Sequence, residues 1–372
     1  MKFTLSTKPF SDALNLGVIP GNISKYFRVS CLAQLTASRN ELRVNLQAAG
    51  ICTEMLLKGQ GDSDETVTAF VDCLTLKQIV GTFDASTTTV EFVEGGVALH
   101  SGASKCTLAE LADSDDGELQ RPKLPDDTAT KVSIDMSDWK FIKDHQMYAI
   151  GLSFAHPIYT KVWVGEDGDV VVGDFDNSLF TFSKKNKLGK TCLLTDTIIN
   201  LFTSLPEGAS ITPVDQSYRV DVKTDGFEYA AELTPQYEDD GDVGQYKADA
   251  FIETAQRDTS NCFKMPVAPL SKFLSQADIL SSGTNNKVDL ILEGDTLEVK
   301  DDNVNVKFKV EGNCPNLTVP LDLEQFGPII SHVDAESVTV SPIYEEDNEV
   351  AGLVIWTSDL TVVVGAKDEG AE

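Results

Sequence analysis

Chemistry in a protein begins with side chains placed to exchange a proton, attack a carbonyl or hold a metal. This chain groups few of them. Its four histidines, His100, His145, His156 and His332, stand far apart. No HExxH, GxSxG, GxxxxGK(S/T) or GxGxxG run occurs, so the usual patterns for zinc hydrolysis, serine acyl transfer and phosphate or dinucleotide binding are missing. The acidic runs EDGD (166–169) and YEEDNE (344–349) could meet a cation, but they lack EF-hand spacing and read as solvated loops. The seven cysteines (Cys31, Cys52, Cys73, Cys106, Cys192, Cys262, Cys314) are odd in number, widely spaced and never in a CxxC pair. That usage suits small core hydrophobes of a reducing compartment rather than disulfides or zinc ligands. No cofactor or metal is implied, and the chain reads as a protein without catalysis of its own.

Charge bounds the partners. The 372 residues carry 30 Lys plus Arg against 59 Asp plus Glu, a formal net charge of -29. Such a surface as a whole repels polyanions. Screening limits exposed charges to about 8 Å at physiological ionic strength, so a local gathering of lysines could still tolerate phosphate. No 18-residue apolar stretch occurs, and MKFTLSTKPF has no long apolar run after its Lys, so a soluble, cytoplasmic protein is expected.

The elements that would position any site repeat. Leu76, Ile79, Val80 and Phe83 sit at i, i+3, i+4, i+7, and the template returns as Ile198, Leu201, Phe202, Leu205, as Leu270, Phe273, Leu274, Ala277, and as Leu323, Phe326, Gly327, Ile330. Each set lies on one face of a short amphipathic helix. Weaker copies start at Phe10 (with Ala13 and Leu14) and at Trp139 (with Ile142). A short strand-like run precedes every one: FTLST, FVDCL, VSIDM, TCLLT, FKMPV and LTVPL. After each helix come period-2 strands with turn chemistry between them, as in GEDGD (165–169), KTDGF (223–227) and LEGDTLEV (292–299).

The six helices fall into two interleaved sets of three, each with a period of about 125 residues. The chain therefore reads as three modules, each of two half-repeats of strand, helix and about three strands. The acidic, Gly/Pro-bearing segments 112–127 and 235–249 read as linkers. The expected domains are 1–124, 125–248 and 249–372.

An α+β chain so built resembles the bacterial-type DNA polymerase sliding clamp, the beta clamp or DNA polymerase III beta subunit family. MKFTLSTKPFSDAL resembles the family's opening strand and helix, and TVEFVEGGVALHSGASKCTLAEL the end of its first domain. LPEGASITPVDQSYRVDVKTDGFEYAAELTPQY resembles the end of the second, with TPQY where the family usually has Phe-Pro-Asp-Tyr. ADILSSGTNNK resembles a helix end and loop of the third. The resemblance implies a head-to-tail homodimeric ring of six modules, with sheets outside and helices facing the hole, that encircles duplex DNA without reading its sequence. It also implies a processivity factor that tethers the replicative polymerase, and meets the clamp loader, through a groove for short peptides. An acidic exterior with a mildly basic bore would suit that task.

The same resemblance assigns residues. DNA-facing candidates are Lys25, Arg28, Lys77, Lys140, Lys143, Lys272 and the loop lysines Lys184, Lys185, Lys187 and Lys190, for which a solvated hairpin end is the alternative. The subunit junction would bring Lys105 and Cys106 of the first domain against Ile279 and Leu280 of the third, unless the latter two are buried in their own domain. Cys106 stands where the family commonly has a large aromatic. The peptide groove would involve Val164, Leu179, Pro235, Tyr237, Val362 and Val364, with the register near Asp174 to Leu179 open by a residue. The ending TVVVGAKDEGAE replaces the family's Met-Pro-Met-Arg type of sequence, a departure that suits a divergent member such as a phage-encoded one. Two other classes compete: a non-enzymatic β-rich repeat protein of a virion or surface, and a hydrolase using its acidic loops, which the missing motifs disfavour.

Overall fold

The computed structural model describes residues 1–18, 32–48, 51–111, 119–126, 128–133, 136–146, 157–174, 179–183, 188–206, 209–237, 243–280, 286–345 and 349–367. The expected Lys25, Arg28, Lys184, Lys185 and Lys187 lie outside them. Strands and helices alternate in the order the periodicity demands.

The first module runs β1 (Lys2–Ser6), α1 (Thr7–Gly17), β2 (Leu32–Ala37), β3 (Glu41–Ala48), β4 (Ile51–Gly61), then β5 (Val67–Asp72), α2 (Cys73–Gly81), β6 (Thr87–Val93), β7 (Gly96–Ser101) and β8 (Ser104–Ala109). The second repeats it as β9 (Val132–Ser133), α3 (Met136–Gln146), β10 (Val162–Val164), β11 (Val170–Asp174), β12 (Leu179–Ser183), then β13 (Cys192–Leu194), α4 (Asp196–Ser204), β14 (Ser210–Val214), β15 (Ser217–Lys223) and β16 (Phe227–Leu233). Between the second and third modules lie β17 (Gln236–Tyr237) and a short helix, α5 (Ala248–Thr254). The third has β18 (Phe263–Pro266), α6 (Val267–Leu280), β19 (Lys287–Glu293), β20 (Thr296–Lys300), β21 (Asn305–Lys309) and the two-residue β22 (Glu311–Gly312). It ends with β23 (Leu317–Asp322), α7 (Leu323–His332), β24 (Ser337–Tyr344), β25 (Val350–Trp356) and β26 (Thr361–Gly365).

Each half-repeat is thus strand, helix and three strands. The second helix of every module starts at an equivalent cap. Asp72 Oδ1 accepts the Thr75 amide at 2.7 Å, Thr195 Oγ1 the Ile198 amide at 3.4 Å, and Asp322 Oδ1 the Glu324 amide at 2.9 Å. These bonds satisfy amides that a helix start leaves unpaired. The periodic residues Phe10, Leu14, Leu76, Val80, Trp139, Ile142, Ile198, Leu201, Leu270, Phe273, Leu323 and Phe326 are all buried. Phe83 lies beyond α2, which ends at Gly81 because the Thr82 and Phe83 amides turn back to Ile79 and Val80.

By contact density the chain divides into two compact units, Met1–Trp139 with Thr195–Pro235, and Lys140–Leu194 with Gln236–Glu372. The division cuts through the central module, because β9 and β14 to β16 share a sheet with the first module, whereas β10 to β13 share one with the third. In the first unit a twelve-stranded sheet runs β8-β7-β6-β1-β4-β16-β15-β14-β9, with β2, β3 and β5 branching from it. Trp139 packs on Phe202 there, ring centroids 4.7 Å apart.

In the second unit a ten-stranded sheet runs β17-β13-β10-β11-β12-β26-β25-β24-β18-β22, beside a four-stranded sheet β21-β20-β19-β23. Leu270, Phe273, Phe326 and Ile330 of α6 and α7 share one core with Val362 and Val364. The intervening Val363 points the other way, into a second cluster with Tyr159, Val171, Leu193, Tyr246, Phe251, Val354 and Trp356. Strand alternation makes that split. The segment 235–249, expected to be a plain linker, therefore carries a core residue, Tyr246, and the start of α5.

Candidate functional site

Two internal seams follow one rule. The third strand after a module's first helix pairs with the last strand of the next module. Thus β4 pairs antiparallel with β16, Ile51↔Leu233 through Leu57↔Phe227, and β12 pairs with β26, Leu179↔Val364 through Phe182↔Thr361. Applied to the ends of the chain, the rule leaves one strand of each kind over. Among the described residues β8 has only β7 as a neighbour, and β21 only β20. Each presents a row of unpaired backbone groups, a template for another strand.

Of the residues expected at the junction, two sit on such a strand. Lys105 is exposed and Cys106 half-buried on β8. Ile279 and Leu280, at the last turn of α6, are 77% and 50% exposed. Their own core is served by Phe273, Leu274 and Ala277 on the other side of the helix. Burial within their own domain is therefore not what they do. Strand β21 was not singled out from the sequence. Its pattern of exposed Asn305, Lys307 and Lys309 alternating with half-buried Val306 and Phe308 is the available signal.

Several strand cations are neutralised: Lys2 by Glu91, Arg43 by Glu54, Lys223 by Glu228, Lys307 by Glu298 and Lys309 by Asp295. Others on strands, Lys58, Lys105, Lys264 and Lys300, make no ion pair among the described residues. The helix lysines resemble this second group. Among the described residues Lys140 and Lys143 on α3 and Lys272 on α6 make no ion pair, and nor does Lys8 on α1, which the sequence reading passed over. Lys77 differs from this set. Its half-buried ammonium donates to Val18 O at 2.7 Å, closing the C-terminal end of α1, and burial lowers its pKa. Lys190 is exposed.

Of the groove candidates, the second unit brings five into one sheet. Val164 pairs with Cys192, Cys192 with Tyr237, and Leu179 with Val364. Pro235 is buried at the end of the other unit. Val164, Val362 and Val364 are at most 1% exposed, so they back the sheet and present no open surface. The period-2 alternation of β26 turns its even-numbered side chains toward α6 and α7.

Both seams are strapped by linker residues. Over β4·β16 the strap is residues 119–123. Leu119 N donates to Gln34 Oε1 at 3.2 Å, the Cys52 thiol to Gln120 O at 2.6 Å, and Lys123 N to Glu232 Oε2 at 2.8 Å. Arg219 Nη1 donates to Pro122 O and Lys123 O at 3.1 and 2.7 Å. Burial first, then Glu232 and Glu54, push the Cys52 thiol up to about 12, which keeps it a donor. Over β12·β26 the strap is residues 246–257, around the second apolar cluster.

Among the described residues no three His, Cys, Asp or Glu side chains converge as a metal site. No helix among them is long and apolar enough to cross a membrane.

No model of a known family and no curated protein matches the chain. Solved structures do. The DNA polymerase III beta subunit of Thermotoga maritima superposes with a TM-score of 0.75 at 11% identity, covering 99% of each chain. That of Pseudomonas aeruginosa gives 0.72 at 15%, over 99% of this chain and all of its own. The Helicobacter pylori beta clamp, solved with a DNA ligase peptide, gives 0.69 at 12% over the same shares. At full length, and at identities too low to carry more than architecture, the chain has the three-module fold of the DNA polymerase III beta subunit sliding clamps.

Proposed function

We propose that the chain is a DNA sliding clamp, a non-enzymatic processivity factor that closes around duplex DNA as a head-to-tail homodimer. The observation that carries this reading is the leftover pair of strand edges. Each internal seam joins a third strand to a following last strand, and a second copy supplies the missing partners, β8 of one chain to β21 of the other. Two such junctions convert two chains of three modules, taken as 1–124, 125–248 and 249–372, into one closed set of six in which no β8 or β21 edge is left over. Ile279, Leu280, Lys105 and Cys106 belong to this junction.

The unpaired helix lysines Lys8, Lys140, Lys143 and Lys272 face the DNA in this reading, with Lys25, Arg28, Lys184, Lys185, Lys187 and Lys190 as further candidates; Lys77 serves mainly as a helix cap. So few dispersed cations neutralise few phosphates, and retention comes from topology rather than affinity. Partner peptides dock along the β12·β26 seam, near Leu179, Pro235 and Tyr237, with Val164, Val362 and Val364 as the backing beneath. The ligase peptide on the Helicobacter pylori clamp supports a peptide-binding role for this fold. The protein works in the cytoplasm, beside the polymerase and loader it serves.

The same edges could instead build an open array, the form a structural repeat protein would take. Mass photometry separates the two: a ring gives a single dimer peak that does not grow with concentration, whereas an array gives a ladder. Loaded on a nicked circle, the ring is expected to stay until the DNA is linearised and then run off the ends. Equal departure from circular and linear DNA refutes encirclement.

A further inference from the structure

The second strap touches both sides of the seam it covers. Strand β11 is matched by β10 only at Val170 and Val171. Beyond them the Gly173 amide needs another acceptor, and it finds Tyr246 Oη at 3.1 Å, while Oη donates to Val171 O at 3.2 Å. One phenol thus occupies a position on β11 that a strand residue would otherwise fill. Tyr246 is fully buried, its ring 5.5 Å from Tyr159 and 5.9 Å from Phe251, centroid to centroid. At the other end Arg257 donates through Nε and Nη2 to Thr361 Oγ1 on β26, at 3.1 and 2.8 Å. Between these pins α5 and its C-terminal cap lay Phe251 and Ala255 into the cluster with Val171, Val354, Trp356 and Val363.

What lies beneath is short. The β12·β26 pairing joins Leu179–Phe182 to Thr361–Val364, against Ile51–Leu57 to Phe227–Leu233 in the other seam. A short ladder leaves more of the relative placement of β12 and β26 to whatever else binds both sides. Tyr246 fixes β11, which carries β12, and Arg257 fixes β26. We infer that Tyr246 and Arg257 are positioning residues, pinning the two sides of the peptide seam, β11 with the β12 it carries and β26, at the spacing a partner peptide needs while themselves standing outside the peptide's path. The part concerning peptides rests on the peptide-docking reading above; the part concerning strand spacing does not.

Two measurements on the full-length protein test it. Amide exchange of Tyr246→Phe and Arg257→Gln is compared with the parent chain. The expected result is roughly fivefold faster exchange across residues 179–182 and 361–364, with residues 51–57 and 227–233 unchanged. Acceleration at Gly173 alone, or equally in both seams, overturns the inference. Arg257→Lys keeps the charge and loses the fork, so it is expected to behave like Arg257→Gln; full recovery of slow exchange by Lys would overturn the role given to the fork. Second, the DNA ligase peptide bound by the Helicobacter pylori clamp, fluorescently labelled, is titrated against each dimer. If the parent chain binds it, both variants are expected to bind about fivefold more weakly with dimer mass unchanged; equal affinity overturns the positioning role. If the parent chain does not bind it, the docking reading fails for that peptide, and the exchange result alone decides for or against the pins.

Discussion

The two seams share topology and differ in what covers them. Over β4·β16 the strap is polar. Arg219 and Glu232, both largely buried, hold the backbone of residues 119–123 through charge-assisted bonds, and a protonated Cys52 adds one more. Over β12·β26 the strap is aromatic, with Tyr246 and Phe251 packed against Tyr159 on one face of the sheet. Edge-to-edge pairing therefore sets the joint, and it accepts either kind of cover. The covers fail differently. Removing one member of a buried polar set leaves its partner desolvated and unpaired. Removing an aromatic leaves a cavity whose cost scales with its volume.

The severest challenge to the comparison is the third seam it demands, the one between copies. Changing Ile279 and Leu280 together to Ala removes side chains that are exposed in the single chain, so each chain is expected to stay folded. If they are buried in the dimer, each truncation costs about 2 to 5 kcal/mol, enough to yield monomers at micromolar concentration. Sedimentation showing an unaltered dimer would place the junction elsewhere. Lys307→Pro, which removes an amide from β21 at its edge, is expected to give the same monomer only if β21 is the paired strand.

Two truncations sharpen the contrast between the covers. Phe251→Ala is expected to lower stability by about 3 to 5 kcal/mol, seen as an earlier denaturant transition for residues 140–194 and 236–367 than for the rest. Arg219→Ala is expected to cost about 1.5 to 3 kcal/mol, with the loss and the faster exchange confined to residues 119–123, 51–57 and 227–233. A single transition that both variants move equally would show that the two units unfold as one and that the seams cannot be told apart this way.

The smallest effect concerns the free edge. Lys309 beside Asp295 and Lys307 beside Glu298 hold these carboxyls below their ordinary values. A depressed carboxylate contributes stability above its unfolded range and loses it as pH falls through its folded value. The β20·β21 hairpin is thus expected to keep its amide protection, corrected for intrinsic exchange rates, down to pH about 4 and to loosen only below. Loosening between pH 6 and 8, where carboxylates do not titrate, would show that these pairs do not hold the edge.

Much of this fold was legible residue by residue. The buried faces at Leu270, Phe273, Leu274, Ala277 and at Leu323, Phe326, Ile330 follow from helical spacing, and Asp72, Thr195 and Asp322 mark the helix starts by capping chemistry. Helix α5 was missed although Ala248, Phe251, Ile252 and Ala255 carry the same i, i+3, i+4, i+7 template, because the acidic run before it masked the pattern. The candidate site was less legible. Lys77 and Lys140 look alike in sequence, yet one caps a helix and the other is unpaired. Val362 and Val364 read as part of the peptide groove, yet strand alternation turns them into the core beneath α6 and α7.

What the sequence determined alone is therefore local: which segments are helices, where they begin, how often the unit repeats, and that no familiar catalytic spacing is present. Periodicity and capping act within a few residues of the chain, so they survive reading in one dimension. The tertiary structure decided which strand edges meet, which valine faces which core, which lysines lack a carboxylate, and that Tyr246 and Arg257 reach β11 and β26. Those outcomes depend on partners far away in the sequence, such as Ile51 and Leu233, and on a strand parity that a shift of one residue would reverse.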